Sequence, residues 1–208
     1  MAPRAYNTET RKLQQAELRS RIAAAAAELH AEKGVLGTSY ADIAQRAGVS
    51  LPTVYNHFPS QHELIAACTG HVASRAPELP VGEILAAPSL AECAAALVAA
   101  MERSHLHYEP WMSWGEKRLV PALLEQLEAA RKEQAALVAE LLAAHLGAGD
   151  HRETAAVWET LLSFDTWHRL SREHKLPRSS VRQTLHHLLL AAAGPRPAAS
   201  NSRPAPRK

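Results

Sequence analysis

The stretch TSYADIAQRAGVSLPTVYNHFPSQHEL, residues 38–64, decides how this chain is read. Ser39 followed by Asp42 has capping-box spacing: the hydroxyl takes an orphan N–H of the first turn, and the carboxylate reaches back to the cap. Ile43, Ala44 and Ala47 then fall on one face of a short helix. Gly48 breaks it, Val49 plugs inward, and Ser50 caps a further helix starting at Leu51. Pro52 is tolerated there because the first turn has no partner for its missing N–H. Two short helices joined through Ala47-Gly48-Val49-Ser50 have the turn chemistry of a helix-turn-helix, whose second helix enters the major groove of DNA. At about 100° per residue, Val54 and Phe58 point inward with Leu51 and Tyr55 on their flank, while Pro52, Thr53, Asn56 and His57 point away. The outward face is small and polar.

Working outward, Leu18, Ile22, Ala25, Ala26 and Leu29 repeat on one face, which predicts a helix from Gln14 that ends near Gly34. Residues 1–14 read as a flexible basic arm and residues 15–60 as the DNA-binding domain. A fourth helix is expected to reach about Ser74. Further helices are expected from Ser89 to about Tyr108, Pro121 to Leu146, Asp150 to about His174 and Ser179 to Ala193. The segment 61–194 thus reads as a helical bundle for ligand binding and dimerisation. The Pro/Ala/Ser/Arg-rich tail 195–208 reads as disordered. The fold class is all-α, with about nine helices and no strand.

Composition agrees. Of 208 residues 47% are apolar and 21% charged, enough for a core and against wholesale disorder. Residues 1–60 carry seven Lys/Arg against five Asp/Glu, residues 61–194 twelve against sixteen, and the tail four against none. A basic front, an acidic body and a basic tail suit a polyanion-binding end. Cys68 and Cys93 sit in apolar helical patterns without CxxC spacing, so neither a zinc site nor a disulfide framework is implied, and a reducing cytoplasmic setting is expected. The start lacks a signal-peptide pattern. The longest apolar run, Cys93 to Met101, is nine residues, against the ~20 of a membrane span. No membrane association is expected.

The 38–64 stretch resembles the N-terminal DNA-binding domain of the TetR (tetracycline repressor) family, the likeness extending over about residues 15–75. It lies in the hydroxyl-rich cap, Asp-Ile-Ala, Ala-Gly-Val-Ser, the Tyr and Phe of the recognition helix, and a Leu-containing fourth helix. The resemblance implies an all-α homodimeric transcriptional regulator, usually a repressor released from a palindromic operator by a small apolar or aromatic effector. It implies DNA contacts at Ser39 and Tyr40, with Tyr40 reaching the backbone or a base. Ser50 caps the recognition helix, whose first N–H groups favour a phosphate. Pro52, Thr53 and Asn56 lie toward base edges, where Asn pairs with adenine and Thr or Pro meets a thymine methyl. Tyr55 and His57 read as phosphate clamps. Two positions depart from the family pattern. Leu51 replaces a polar base reader and stands either against a thymine methyl or in the core. Gln61 replaces a usual Lys, which predicts a shallower salt dependence. Arg4, Arg11 and Lys12 are placed to compensate through the backbone or minor groove.

Residues 100–170 hold all four Trp. Core packing is the ordinary role of Trp and Met at helical spacing; the resemblance turns the region as a whole into a sensor. The candidates are His105, Tyr108, Trp111, Trp114, Trp158 and Asp165, with Asp165 alternatively pairing with His168 or Arg169. The twelve histidines form no metal motif: His105 and His107 are two apart, His186 and His187 adjacent, and HExxH is absent. Neither metal nor cofactor is expected. GxSxG and P-loop motifs are absent too, so an all-α enzyme is the weakest alternative and a sequence-independent architectural DNA binder the stronger one. Val181, Leu185, Leu188, Leu189 and Ala192, with Trp158, Leu161, Leu162 and Asp165 on the preceding helix, predict a homodimer through the last two helices.

Overall fold

The computed structural model describes residues 5–194, which form ten α-helices and no strand. They are α1 (Ala5–Lys33), α2 (Tyr40–Ala47), α3 (Leu51–His57), α4 (Gln61–Ala73), α5 (Val81–Leu85), α6 (Leu90–Met112), α7 (Pro121–Leu146), α8 (Arg152–Leu161), α9 (Phe164–His168) and α10 (Arg178–Ala193). A 3-10 turn, Glu116–Arg118, precedes α7, and a π-helical turn, Arg169–Glu173, follows α9. Arg4 and the expected disordered tail lie outside the described residues.

Three expectations are corrected. The first helix begins at Ala5, not Gln14, so residues 5–14 are helical rather than a loose arm. No Gly or Pro interrupts TETRKLQQAELRSR, and most of these residues are good helix formers. Helix α6 runs through Pro110 to Met112 instead of stopping near Tyr108. The indole N–H of Trp111, donated to the Ala27 carbonyl at 2.7 Å, anchors that last turn from outside the helix. The single helix expected over 150–174 is broken, because Ser163 caps α9 by accepting from Thr166 N.

Two apolar cores result. In the first, Ile22, Ala26 and Leu29 of α1 pack with Ile43 and Ala47 of α2, Val54 and Phe58 of α3, and Leu64, Cys68 and Val72 of α4. The N-terminal unit therefore runs through α4, past the boundary expected at residue 60. In the second, Leu97 and Val98 of α6, Leu141 and Leu142 of α7, Trp158, Trp167, and Val181, Leu185 and Leu189 of α10 close the bundle. Buried Glu102 is held from α10 by Arg178 at 3.1 Å and Arg182 at 3.5 Å. The stripe Val181, Leu185 and Leu189, expected at a dimer interface, is thus spent inside its own subunit. A helical period identifies an apolar face but not which partner covers it.

Each core also encloses one histidine, His30 and His105. Burial pulls both imidazoles from the usual 6.5 down to about 4. The unfolded chain takes up these protons near pH 6.5 and the folded chain only near pH 4, so stability is full above 6.5 and drains away across that window. The loss is on the order of 3 kcal/mol for each histidine. Thermal midpoints measured from pH 7 to pH 4 should fall less steeply in a His30→Leu, His105→Gln variant than in the wild type. Equal slopes would remove these groups from the pH dependence.

Candidate nucleic-acid interface and sensor region

The local chemistry of the 38–64 stretch builds two tightly positioned helices. Ser39 Oγ accepts from Asp42 N at 3.1 Å, while an Asp42 oxygen accepts from Ser39 N at 2.9 Å and from Ser39 Oγ at 2.8 Å. Lys33 Nζ donates to the same carboxylate oxygen at 2.8 Å, and these bonds hold the Asp42 carboxyl well below the usual range. Gly48, at φ 64°, ends α2 in the left-handed region where a side chain is strained, and its N–H returns to Ala44 and Gln45. Arg46 donates to Glu32 at 2.8 Å through both terminal nitrogens and to Glu28 at 3.2 Å, which pins α2 to α1. Ser50 caps α3, accepting from Thr53 N at 3.3 Å, and the two hydroxyls lie 2.7 Å apart.

Helix α3 is divided between core and surface. Val54 and Phe58 are fully buried, whereas Pro52, Tyr55 and Asn56 are exposed and Thr53 and His57 half-buried. Leu51 is 39% exposed and so stands outside the core. Gln61, the first residue of α4, is exposed beside them.

Two other expected contact residues are committed elsewhere. The one hydroxyl proton of Ser39 already goes to Asp42, so only an acceptor remains for a duplex. Tyr40's hydroxyl is enclosed by protein, and its ring tilts against Tyr55 with centroids 4.7 Å apart. Burial, then the neighbouring Tyr55 and Glu63, raise its pKa. Tyr40 in this arrangement braces Tyr55 instead of reaching a base.

Arg19 is a positioning residue that sequence reasoning missed. Its guanidinium lies 4.1 Å from the centroid of the Phe58 ring and donates to the His57 carbonyl, closing the C-terminal end of α3 from α1. It falls on the polar side of a helix, where nothing local separates it from an ordinary surface arginine.

The six sensor candidates divide among four environments. Trp158 is fully buried, and its N–H goes to the Leu189 carbonyl at 2.9 Å, bracing α8 on α10. Asp165 is exposed in the first turn of α9. Trp111 and Trp114 donate to the Ala27 and Ala31 carbonyls of α1 at 2.7 and 3.1 Å, and half-buried Tyr108 packs against the N-terminal core. These three face the seam between the units. Glu116, also missed, completes it: its carboxylate accepts from Val35 N at 2.6 Å and Leu36 N at 3.2 Å. Gly34 lies beneath it at φ 77°, a left-handed conformation in which a side chain is strained. On the same seam His107 Nε2 donates to the Val72 carbonyl at 3.0 Å.

His105 lies inside the bundle, beside a group of aromatic rings. Its Nε2–H donates to the Leu162 carbonyl at 2.9 Å, and its ring centroid is 5.8 Å from that of Phe164 and 5.6 Å from that of Trp167. The buried Trp167 N–H has no protein partner. Arg172 reaches over the Trp167 ring and donates to Glu109 at 2.7 Å. Among the described residues no group of three or more His, Cys, Asp or Glu is placed to hold a metal, and no helix is long and apolar enough to cross a membrane.

Comparison with known proteins places these features in a context. Residues 22–68 match the family described as bacterial regulatory proteins, tetR family. An uncharacterised HTH-type transcriptional regulator of Mycobacterium bovis is 40% identical over 67 residues, covering 32% of this chain and 35% of that protein. Mycobacterium tuberculosis regulators of the same description match equally. The match spans about a third of these relatives' length. A solved transcriptional regulator from Rhodococcus sp. Rha1 shares the fold at a TM-score of 0.59 and 22% identity, covering 84% of this chain and 95% of that one. The multidrug binding protein EbrR, solved with imidazole, does so at 0.54 and 24%, covering 87% and 97%.

If Arg19 closes α3, Arg19→Ala should speed amide exchange at Phe58, whose N–H donates to the Val54 carbonyl at 2.8 Å and ends that helix. Amides of α2, fixed independently by Arg46, should hardly change. Uniform acceleration across both helices would instead mark a general loss of stability.

Proposed function

We propose, from the match of residues 22–68 to the tetR family of bacterial regulatory proteins, that the chain is a transcriptional repressor of that family. In this reading it binds a palindromic operator as a homodimer and leaves it when a small apolar or aromatic effector binds. The carrying observation is the division of α3, whose buried Val54 and Phe58 fix the helix while Pro52, Thr53 and Asn56 stand clear for base edges. Tyr55, His57 and Gln61 flank that face as phosphate contacts. An architectural binder would place cations along the groove-facing helix, and α3 has neither Lys nor Arg.

The effector belongs beside His105, Phe164 and Trp167, an aromatic group whose buried indole N–H has no protein partner. The multidrug-binding relative solved with imidazole supports a ligand role for this half. Helix α6 carries His105 near its middle and Trp111 at its end, so a shift beside His105 is transmitted to α1 through the seam.

Dimerisation follows from what the hairpin of α8 and α10 leaves uncovered. Val157 is 42% and Leu188 40% exposed, and Ala156, His187 and Ala191 are exposed with them. The interface therefore uses the stripe beside Leu185 and Leu189. Two recognition helices would then meet half-sites about 34–36 Å apart.

Selection from random duplexes should enrich a palindrome, and Asn56→Ala should relax one position per half-site at a cost of about 1–3 kcal/mol. Tyr55→Ala should weaken all sequences alike. A pool without an enriched half-site would sink the repressor reading. Separately, Val157→Glu with Leu188→Glu should sediment as a helical monomer that has lost tight operator binding. A wild-type monomer binding its operator tightly would exclude the dimer.

A further inference from the structure

Between α1 and α4 runs an open groove of about 700 Å³. Helix α1 supplies Ala16, Arg19, Ser20 and Ala23, while α4 and the residues just past it supply Ala67, His71, Ser74 and Arg75. No Asp or Glu lines it. Arg19 donates to the His57 carbonyl, and Arg75 donates to the ring and the carbonyl of His71. Among the described residues neither guanidinium bonds a carboxylate, whereas Arg46, Arg152, Arg172 and Arg178 each do. A guanidinium only donates, so His71 Nδ1 accepts from Arg75 at 2.9 Å and the ring proton sits on Nε2, clear of that bond. Burial, then Arg75, lowers the His71 pKa against a smaller opposite pull from Glu28, which keeps the ring in this neutral form at physiological pH. The exposed Ser20 hydroxyl is a further donor. Ser74 adds none, since its proton goes to the His71 carbonyl at 2.8 Å.

Charge and donor chemistry together define an occupant. Two guanidiniums, an imidazole N–H and a hydroxyl line one groove from two helices, with no carboxylate to answer them, so the partner is an anion. A carboxylate presents two oxygens in one plane. A phosphate monoester presents three on a tetrahedral centre with nearly two negative charges, which suits donors arriving from different helices. Ala16, Ala23 and Ala67 leave small apolar walls for a compact organic body. Arg75 stands about 20 Å along α4 from Gln61, a distance that favours a small molecule over the duplex backbone. We propose that this groove binds a small organic phosphate, its phosphate group held by Arg19, Ser20, His71 and Arg75 and its carbon body resting on the three alanines. Because Arg19 also holds the end of α3, the occupant is tied to the recognition helix without passing through α6.

Phenyl phosphate, inorganic phosphate and benzoate are the probes. Each is titrated into the full-length protein at fixed ionic strength, and amide shifts are followed by NMR. Wild type should bind phenyl phosphate with a Kd of about 1 mM or tighter, with shifts centred on Arg19, Ser20, His71 and Arg75 and reaching Phe58. Inorganic phosphate should bind about five-fold more weakly for want of the apolar body, and benzoate about tenfold more weakly. Arg75→Gln should weaken phenyl phosphate about tenfold. Ser20→Asp, which puts a carboxylate into the groove, should abolish binding, and Arg75→Gln decides the matter should that variant fail to fold. Arg11→Gln, outside the groove, should change nothing. The proposal is overturned if Arg11→Gln weakens binding as much as Arg75→Gln, the mark of a general cationic surface, or if inorganic phosphate or benzoate binds as tightly as phenyl phosphate. It is equally overturned if the shifts gather at Tyr55 and Gln61, or if phenyl phosphate at about 10 mM moves none of the groove amides.

Discussion

One carboxylate joins the two halves of this protein. Glu116 stands just beyond α6 and accepts the Val35 and Leu36 N–H groups, the first free donors after α1 ends at Gly34. Charge-assisted bonds to backbone amides are among the stronger polar contacts available. This pair fixes the loop from which the helix-turn-helix departs. Trp111 and Trp114 extend the attachment along α1 by taking the Ala27 and Ala31 carbonyls, one helical turn apart. The recognition helix is therefore placed twice, by its own core and by the end of a helix whose middle lies in the other unit.

The division of labour follows from this attachment. Each unit closes its own core, so each keeps its shape, and between them lie directional bonds and a thin apolar seam of Ile65, Val120 and Ala122. A seam of this kind has discrete partners to lose or exchange, as a two-state coupling element requires. Helix α6 carries both His105, in ring contact with Phe164 and Trp167, and Trp111, which bonds α1. Val157 and Leu188 stand exposed on the face formed by α8 and α10.

What was legible in the sequence was what local chemistry determines. Ser39 with Asp42, Gly48 and Ser50 act within four residues of themselves, and the caps and turn they imply are present. The inward and outward sides of α3 were equally readable, since both cores and surfaces obey the helical period. Long-range partners were not. Glu116 meets amides some eighty residues away, and Arg19 meets a carbonyl thirty-eight away. Trp111, Trp114 and Trp158 were grouped as sensor candidates from sequence, whereas the contact each makes depends on a carbonyl elsewhere in the chain: Ala27 for Trp111, Ala31 for Trp114, Leu189 for Trp158. The stripe Val181, Leu185 and Leu189 was correctly apolar but assigned to the wrong partner. Ser163 escaped notice because its cap sits inside the apolar run LLSFDTW.

The central claim, that Glu116 couples the bundle to the helix-turn-helix, is tested most directly in a Glu116→Ala variant. Amide exchange at Val35 and Leu36 and affinity for the selected operator are measured on the same preparation. The account predicts that both amides lose protection, that the core amides of α6 keep theirs, and that operator affinity falls about tenfold or more. Unchanged protection at Val35 and Leu36 together with unchanged operator affinity would contradict it.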